Sequence, residues 1–599
     1  MKGYLSILMT ILIYQCIYPC EVYYISNNGN DNNDGLTPLS AWKSLDKLQI
    51  EIHKMPKNSE ICFERGSIFY GSLTIENDSI FLSDYGDLAN PPVITGFQTI
   101  ANWEKYSQNI FKTKVEGISS LNVVLVDGEF QNLGRYPNQG YLNIMNASKN
   151  NIFDRNLNEN WTGGDIVIRQ TRWVLDKFSI KKQEQKTLYF ENTGSYTPKK
   201  GYGYFIQNHL NTLDKNNEWY FDGLYLYMFF ENNNPYHYNI QIATLNNGLT
   251  LKGNNLTINN IIIQGFNQNG IFADNTINVD VNYCDISFIG KNAINATSSS
   301  YLNISNTTSE TCNNNFIEGR WNANHATIKN CVIKNIGIFE GMGANGDGSY
   351  SGIYLIGNNS EIIENKISNI GYNGITFSGS KSICSYNNIK NTCMIKTDGA
   401  SIYTYYYKLD SPPKQMQIFK NTIEFSGGAD ALGGINGEED FSNGIYLDGY
   451  CNDVFVSENI VSQCHIGFYT NSVRGHKIIN NIFFDNRKYQ AAIRQWYREA
   501  LPYSFEFNLN SLVSTQKSQL ILSIHNPYFS INSNFIKLEE NTYSYSFEDS
   551  LNLPFRIIDK KHPLGKEMNF ANWKKLIDFE QQPTFLPSLL LIDNKIQNN

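Results

Sequence analysis

The chain has 599 residues, more than one compact hydrophobic core normally holds, so we expect several domains or an elongated repeat architecture. Its formal net charge of −8 is spread along the sequence, and the lack of a basic run argues against a nucleic-acid-binding protein. Tyr supplies 38 residues and Pro only 16, while Asn and Gly are abundant, a composition typical of a β-rich protein with many tight turns.

The first segment, residues 1–20, is predicted to be a signal peptide. Lys2 precedes an apolar stretch of about fifteen residues, and polar sequence begins near Glu21. This stretch is too short to span a bilayer comfortably, and no later segment is apolar enough to do so. We therefore expect a secreted or periplasmic protein without a membrane span.

The next two segments lack an obvious repeat. Residues 21–115 open with "YYISNNGNDNNDGLTPLSAWKSLDKL", in which a strand, an Asn/Asp/Gly-rich turn and a short helix predict an N-terminal cap before the first coils of a solenoid. Residues 116–250 alternate β-like runs such as "EWYFDGLYLYMFF" with long polar loops. We interpret this segment as a β-rich insertion packed against the solenoid.

After residue 250 the chain repeats itself. Short apolar strands begin at residues 270, 293, 316, 352, 374, 401, 444 and 467, and Asn-rich segments such as "NDVFVSENIVSQC" follow them. The spacings are 23, 23, 36, 22, 27, 43 and 23 residues, which indicates a base period of 22 to 23 with three longer turns. Self-similarity at such a period is the signature of a stacked solenoid with insertions.

The pieces within one period predict an all-β fold. They are short, β-branched and bounded by Asn or Gly, and none keeps a helical periodicity. We therefore predict a right-handed parallel β-helix over residues 251–500, with Asn in left-handed turns and in amide ladders at the bends. Residues 501–599 lose the repeat and are predicted to form a C-terminal β-rich extension with a short helix in "FANWKKLIDFEQQ".

The cysteines fit this interpretation. Those after the predicted leader form no CxxC pair and have no His at zinc-ligand spacing, so we predict no metal site from them. Cys312, Cys393 and Cys464 fall at nearly the same place in non-adjacent repeats. This placement predicts stacked core side chains rather than disulfides.

The three longer turns point to one corner of the coil. Their extra residues are 338–350, 392–398 and 427–442, and all of them lie just before the repeating strand. A solenoid that lengthens the same corner in nearby turns builds walls beside one face, where such folds bind ligands.

Several motifs resemble, in their order, those of a known group of enzymes. They are the opening stretch quoted above, "GRYPN", "GYGYFIQNHLNTLDKNNEWYFDG", "DGASIYTY" and "NGIYLDG". Over residues 21–500 the chain resembles exported parallel β-helix glycoside hydrolases, closest to glycoside hydrolase family 141 with its fucosidase- and xylanase-type activities, with the β-xylosidase family 120 as a cousin. The resemblance implies cleavage of a plant or algal polysaccharide or oligosaccharide without a cofactor.

The resemblance also implies two catalytic carboxylates, which it assigns to Asp398 in "TDGASIY" and Asp448 in "GIYLD". Glycoside hydrolysis needs one carboxylic acid to protonate the leaving oxygen and one carboxylate as nucleophile or base. Strand register alone pairs Asp398 with Asp440 instead, because the two fall at nearly the same place in adjacent turns, about 4.8 Å apart. We predict the pair Asp398 and Asp448 and keep Asp440 as the alternative.

Each acid also has a simpler structural interpretation. Asp398 and Asp448 precede Gly and would suit a turn for backbone reasons alone. The position of Asp398 at the end of an insertion favours the catalytic interpretation. Asp347 in "GANGDGSY" lies at the same corner among glycines, and we interpret it as a loop residue.

Six further residues are candidates for substrate binding. Aromatic rings stack on sugars, although burial in the solenoid explains each tyrosine equally well. The arginine and histidine of "NSVRGH" could bind a hydroxyl or carboxylate or form a polar turn, and the tryptophan of "IRQWYRE" could floor a subsite or lie in the core. The candidates are Tyr403, Tyr405, Tyr446, Arg474, His476 and Trp496.

Two other functions occur on the same fold. A polysaccharide lyase would bind Ca²⁺ through residues 438–440 and use Arg474, His476 or a tyrosine as the base. A non-catalytic carbohydrate-binding solenoid would need only the aromatic residues and the walls. A polysaccharide or oligosaccharide is the expected partner in all three cases, and the sequence predicts no particular oligomeric state.

Overall fold

The computed structural model describes residues 21–231, 234–428, 440–528, 531–545, 554–577 and 580–585. They form a parallel β-helix with an antiparallel insertion, which confirms the predicted fold class. No helix within these ranges is both long and apolar enough to cross a membrane. The predicted leader lies outside them, as do Glu438 and Glu439 of the predicted Ca²⁺ cluster.

Each coil contributes strands to three parallel ladders, which we call the first face, the second face and the site face. The first face consists of Val22–Ile25, Ser59–Glu64, Ile80–Tyr85, Leu256–Asn259, Ile277–Asn282, Ser300–Ser305, Thr327–Lys329, Glu361–Ile363, Ile383–Ser385, Met416–Phe419, Val454–Ser457, Lys477–Ile479, Glu506–Asn508 and Lys537–Glu539.

The second face follows the first along every coil. It consists of Ile68–Tyr70, Val93–Thr95, the first part of Ile262–Ala273, Asp285–Ile289, Thr308–Cys312, Val332–Ile336, Lys366–Ile370, Asn388–Thr392, Thr422–Ser426, Ile460–Ser462, Ile482–Phe484, Ser511–Ser514, Thr542–Tyr545 and Thr584–Phe585.

The site face completes the coil and carries the predicted acids. It consists of Leu73–Ile75, Leu245–Leu251, the second part of Ile262–Ala273, Asn292–Asn295, Ile317–Gly319, Ile353–Ile356, Ile375–Ser378, Gly399–Tyr406, Ser442–Gly449, Ile466–Thr470, Tyr489–Arg494, Leu520–His525 and Phe555–Ile558, with Lys566–Met568 added antiparallel at the end.

The interior of the coil is one continuous apolar core. On the site face Ile402, Ile445, Phe468, Ala491 and Leu522 occupy the same register position on successive strands, and all belong to this core. Because side chains alternate along a strand, the residues between these positions point outward.

A column of buried asparagines lines the bend between the first and second faces. Each Nδ2 donates to the Oδ1 of the next Asn over 2.9 to 3.3 Å, and that Oδ1 also accepts the backbone N–H of the donor residue. The predicted amide ladder is therefore present. The left-handed residue of each bend is the one before the Asn, with φ between 52° and 60°. The column comprises Asn365, Asn387, Asn421, Asn459, Asn481, Asn510 and Asn541.

Short helices pack at the two ends of the coil. Leu45–Ile52 begins after Ser44, whose hydroxyl accepts the N–H of Lys47, and its Leu48 is buried in the core. At the other end, helix Phe570–Leu576 buries Trp573 against Phe555, with ring centroids 4.9 Å apart. Three short 3₁₀ helices occur at Pro38–Ser40, Leu210–Thr212 and Pro235–His237.

The insertion consists of three antiparallel sheets. The first contains Phe97–Thr99, Val124–Val126, Glu129–Phe130 and Ile240–Ala243; the second contains Glu104–Lys105, Ile110–Lys114, Trp219–Phe221 and Tyr225–Phe229; the third contains Arg135–Tyr136, Leu142–Asn143, Asn146–Ser148, Asn151–Phe153, Asp165–Thr171, Val174–Glu184, Thr187–Phe190 and Gly203–Gln207.

Both boundaries of the β-helix differ from those drawn on the sequence. The insertion sheets begin at Phe97 rather than at residue 116, because Phe97–Thr99 pairs with Ile240–Ala243, a non-local partner that leaves no local pattern. Parallel coils also continue beyond residue 500, where Leu520–His525 pairs with Tyr489–Arg494. The repeat is hard to see there because the next site-face strand begins only at Phe555.

All eight cysteines after the leader are buried and free of disulfides. Cys312 and Cys464 lie in the coil core, and Cys393 packs in a small cluster between the insertion and the coil. The predicted burial without disulfides is confirmed, but the predicted stacking in the core is wrong for Cys393, because the 392–398 segment leaves the coil and packs against the insertion.

Candidate active site

Two neighbouring strands of the site face carry the predicted acids. Asp398 lies at the corner just before Gly399–Tyr406, and Asp448 lies on Ser442–Gly449, directly opposite Tyr405. Thr404 and Leu447, which directly precede Tyr405 and Asp448, point inward and are buried in the coil. Asp448 and Tyr405 therefore lie on the outer surface of this face.

The backbone at Asp398 is held from both neighbouring coils. Its φ of 59° is left-handed, which Asp tolerates better than most residues, and a Cβ on Gly399 would lie 2.4 Å from the Tyr372 ring. Tyr372 donates its hydroxyl to the Asp398 carbonyl at 2.9 Å, and Asn443 donates to the Gly399 carbonyl at 3.0 Å. Asp398 and Gly399 thus form a strained turn whose position is fixed. The same turn places the Asp398 carboxyl at the corner where the longer loops begin.

The electrostatic environment of Asp398 favours its protonated form. Burial raises its pKa from 3.8 to about 7, and the negative charge of Asp448 adds to the rise. The guanidinium of Arg172 acts in the opposite direction without cancelling it. A carboxyl with this pKa keeps its proton at mildly acidic pH, as a general acid requires.

Asp448 is held as an acceptor. Its Oδ2 accepts the Tyr403 hydroxyl at 2.7 Å, and its Oδ1 accepts the Asn471 amide and the N–H of Gly449, each at 2.7 Å. Three donors on two oxygens fix the orientation of this carboxylate. Such a group suits the role of nucleophile or base.

The tyrosines around Asp448 have different roles. Tyr446 is only 3 % exposed; its ring packs edge-to-face against Tyr403 at 5.2 Å, and its hydroxyl accepts from Asn471 at 2.7 Å. It therefore positions two donors of Asp448 and offers no surface to a sugar. Tyr405 is 43 % exposed and lies parallel to Tyr403 at 6.5 Å, so its ring is available for stacking.

The insertion contributes a wall to this site. One of its hairpins turns at Arg172 and Trp173, and the Arg172 carbonyl accepts the N–H of Thr397, next to Asp398. Trp173 donates from Nε1 to the Tyr196 hydroxyl at 3.1 Å. The insertion thus touches the coil at the residue that precedes the predicted acid.

Asp347 contacts the same insertion wall through Tyr196. It is exposed on the 338–350 segment and accepts the Tyr196 hydroxyl at 3.4 Å. Burial and the charge of Asp448 raise the pKa of Tyr405 to about 12, and the negative charge of Asp347 makes a smaller contribution in the same direction. Asp347, interpreted from the sequence as a loop residue, is therefore a loop residue that lies near the candidate site.

Lys396 is a buried cation two residues before Asp398. Its Nζ lies over the rings of Tyr372 and Tyr350 at 4.5 and 5.3 Å and donates to the carbonyl and hydroxyl of Ser349, each at 3.0 Å. Burial lowers its pKa to about 7, although the charge of Asp347 opposes the fall. Lys396 ties the 392–398 segment to the 338–350 segment.

Asp440 does not join the two acids. Its Oδ2 pairs with Nη2 of Arg487 at 2.7 Å, and its Oδ1 accepts the Ser442 hydroxyl at 2.5 Å. Burial raises its pKa even with Arg487 beside it, and Asp440 is not among the charges that act on Asp398. The strand register places Phe441 opposite Asp398 and Asp440 one residue earlier, and the Asp440 side chain pairs with Arg487 rather than with Asp398.

Arg474 and His476 of "NSVRGH" do not join the acids, whereas Asn471, the first residue of the same motif, is the donor to Asp448. His476 is fully buried inside the coil, where its Nδ1 accepts the N–H of Val454 and burial lowers its pKa to about 3. Arg474 packs over the Tyr503 ring at 5.6 Å in the bend. The interpretation as a polar turn fits Arg474, and His476 cannot serve as a base at the site because it faces the interior.

Trp496 lies on the surface rather than in the core. It is 55 % exposed and packs beside the guanidinium of Arg494 at 5.7 Å. Within the described ranges, no group of three His, Cys, Asp or Glu side chains is arranged to hold a metal ion.

A second concave region lies between the insertion and the 338–342 segment. Its volume is about 520 Å³, and Arg135, Glu218 and Glu340 are among its lining residues. The Glu340 carboxylate forms an ion pair with Arg135 at 2.7 Å and accepts the hydroxyl of Tyr141 at 2.6 Å. Glu218 accepts the backbone N–H groups of Asp214 and Lys215, and burial raises its pKa to about 7. Because the other lining carboxylate, Glu340, is paired with Arg135, this region is a weaker candidate for two-carboxylate chemistry than the site of Asp398 and Asp448.

The site residues that were not identified in the sequence include Arg172, Trp173, Lys396 and Asn471, the last of which donates to Asp448. The first two lie more than 200 residues before Asp398 in a hairpin turn with no repeat to mark it. Lys396 had a usable signal, since a Lys between Ile395 and Thr397 in a buried corner needs neutral or aromatic partners.

The comparisons with known proteins agree on the fold. No family model matches the sequence, and no curated protein is similar to it. A solved structure described as a glycoside hydrolase shares 13 % identity, with 77 % of this chain and 94 % of that chain covered and a TM-score of 0.52. A complex of XylC with xylose shares 13 % identity over 87 % and 83 % of the chains, with a TM-score of 0.46. A GH136 lacto-N-biosidase from Eubacterium ramulus shares 11 % identity over 95 % and 68 %, with a TM-score of 0.34. At these identities, the likeness extends to the architecture alone.

Proposed function

We propose that this chain is a glycoside hydrolase in which Asp398 is the general acid and Asp448 the nucleophile or general base. One observation carries the proposal: a carboxyl whose pKa is raised to about 7 lies within the electrostatic reach of a second carboxyl that is held by three donors. Two carboxyl groups whose environments differ in this way are the arrangement that glycoside hydrolysis uses.

In the proposed reaction, Asp398 gives its proton to the glycosidic oxygen while the bond to the anomeric carbon breaks. Asp448 either bonds to the anomeric carbon or takes a proton from the water that does. A carboxyl separation of about 5 Å accompanies the first route and about 6.5–9.5 Å the second. Tyr405 and the hairpin turn at Trp173 supply surfaces that hold the sugar.

The lyase alternative lacks comparable support. His476 faces the coil interior, and Asp440 is paired with Arg487. The fold of the solved glycoside hydrolase adds to the preference for hydrolysis without deciding the substrate.

A polysaccharide and oligosaccharide panel tests the proposal. We expect new reducing ends without ultraviolet absorbance, and loss of this activity in Asp398→Asn and in Asp448→Asn. Asp410→Asn, in an exposed loop, serves as the matched control and should keep wild-type activity. An unsaturated product, or full activity in Asp398→Asn, would overturn the proposal.

A further inference from the structure

The outer surface of the site face changes character beyond Asp448. Register places Asp448, Asn471, Arg494 and His525 at the same position on four successive strands. Since stacked strands lie about 4.8 Å apart, Arg494 is about 10 Å along the stack from Asp448. Arg556 lies on the next strand, opposite Ser523, two residues before His525.

These three basic side chains form one cluster. The charges of Arg494 and Arg556 both act on His525, whose ring nitrogen Nδ1 is buried without a hydrogen-bond partner. Nε of Arg556 is buried and unpartnered in the same way. Polar atoms that are buried and unsatisfied beside one another are costly unless a ligand completes them.

Few neighbours neutralise the cluster. Arg494 donates to the neutral hydroxyl of Tyr469 at 3.0 Å, and no carboxylate among the described residues lies within ion-pair distance of it. Arg556 has two distant partners, the carboxylate of Glu567 at 3.9 Å and the neutral hydroxyl of Tyr489 at 3.5 Å. A local positive region in a chain of net charge −8 concentrates anions at this point.

The cluster is also joined to the candidate active site. Burial raises the pKa of Tyr469, the positive charge of Arg494 opposes the rise, and the negative charges of Asp398 and Asp448 add to it, so Tyr469 lies within electrostatic reach of both groups. The exposed ring of Trp496 lies beside Arg494, in the position of a stacking platform next to a cation.

We propose that Arg494, His525 and Arg556 form an anion-binding subsite for a carboxylate or sulfate group on a sugar next to the one that is cleaved. The substrate class is then an acidic oligosaccharide. This inference rests on the proposed function for its place in catalysis, but binding to the subsite does not require turnover. Arg494 takes the anion through its guanidinium fork, Arg556 approaches from the second coil beyond it, and Trp496 stacks on the ring.

Binding to a catalytically inactive variant separates the two proposals. Asp398→Asn is titrated calorimetrically with an oligogalacturonate, a sulfated oligosaccharide and a neutral xylo-oligosaccharide, at low and high salt. We expect one of the two acidic probes to bind in a salt-sensitive manner, and to bind at least ten-fold more weakly when Arg494→Gln and Arg556→Gln are added. Which acidic probe binds tells a carboxylate subsite from a sulfate subsite.

Matched controls keep the outcome interpretable. Arg155→Gln, an exposed arginine of the insertion, should change nothing, and thermal unfolding confirms that each variant is folded. As a second readout, the bound acidic probe should raise the pKa of His525 from about 4, measured by the chemical shifts of its ring. The inference is overturned if neither acidic probe binds, or if the arginine variants weaken neutral and acidic probes equally. Acidic binding without any hydrolysis by the wild type would refute the proposed function and leave the subsite standing.

Discussion

Replacing Asp398 by Asn should stabilise the protein in a pH-dependent way. In the folded chain, burial and the charge of Asp448 raise the pKa of Asp398 to about 7, against 3.8 as its ordinary value. Asn carries no charge and tolerates the left-handed backbone at this position as well as Asp does, so the substitution isolates the cost of the buried charge.

The magnitude follows from the two pKa values. At pH 8 the carboxyl is ionised in both the folded and the unfolded chain, and a rise of about 3 units corresponds to about 4 kcal/mol of lost stability. At pH 3 it is protonated in both states and costs nothing. Because the folded state binds more protons between these values, wild-type stability falls as pH rises from about 4 to about 7.

Denaturant unfolding of wild type and Asp398→Asn at pH 4 and pH 8 measures the effect. We expect the variant to gain up to about 4 kcal/mol at pH 8 and little at pH 4, while Asp410→Asn shows the same small change at both. A gain that does not depend on pH, or a loss at pH 8, would refute the claim that this carboxyl is desolvated.

Three further predictions concern the neighbours of Asp398. Tyr403→Phe removes one donor of Asp448 and should lower kcat/KM by roughly 10- to 100-fold, as expected for a hydrogen bond to a charged group. Asp440→Asn should change kcat/KM by no more than a few-fold, because Asp440 pairs with Arg487. Equal losses of kcat/KM in the two variants, measured from initial rates, would contradict this prediction. Arg172→Gln removes the cation that lowers the pKa of Asp398, so the decline of kcat/KM above neutral pH should move to higher pH; a move to lower pH would contradict the assigned role. Lys396→Met removes an ammonium group whose pKa burial lowers from 10.5 to about 7. The variant should therefore gain more unfolding free energy, relative to the wild type, at pH 6 than at pH 10. A larger gain at pH 10 would contradict the burial of a charged lysine.

The repeat was readable from the sequence because each coil uses a similar strand and bend. Ile402, Ile445 and Phe468 recur at one register position, and the buried Asn recurs at one bend, so a single period reports both. The continuation beyond residue 500 was missed because Leu520 and Phe555 begin strands without that recurring pattern.

The site was only partly readable for a different reason. Asp448 lies on a strand of the repeat and Asp398 directly before the neighbouring strand, so their positions followed from the coil. The exact register and the side-chain partners did not: Phe441, not Asp440, lies opposite Asp398, and Asp440 pairs with Arg487. Arg172 reaches the corner through non-local packing of the insertion, which no local pattern in the sequence records.

The asparagine column has a consequence for how this architecture can diversify. It lies at the bend between the first and second faces, whereas the 338–350 and 392–398 segments leave from the bend between the second face and the site face. The spacing between coils and the length of the loops are therefore set at different bends of the same coil. Loops can lengthen at one bend while the amide ladder maintains the spacing between coils at another. Substrate specificity can therefore change while the β-helix itself is conserved.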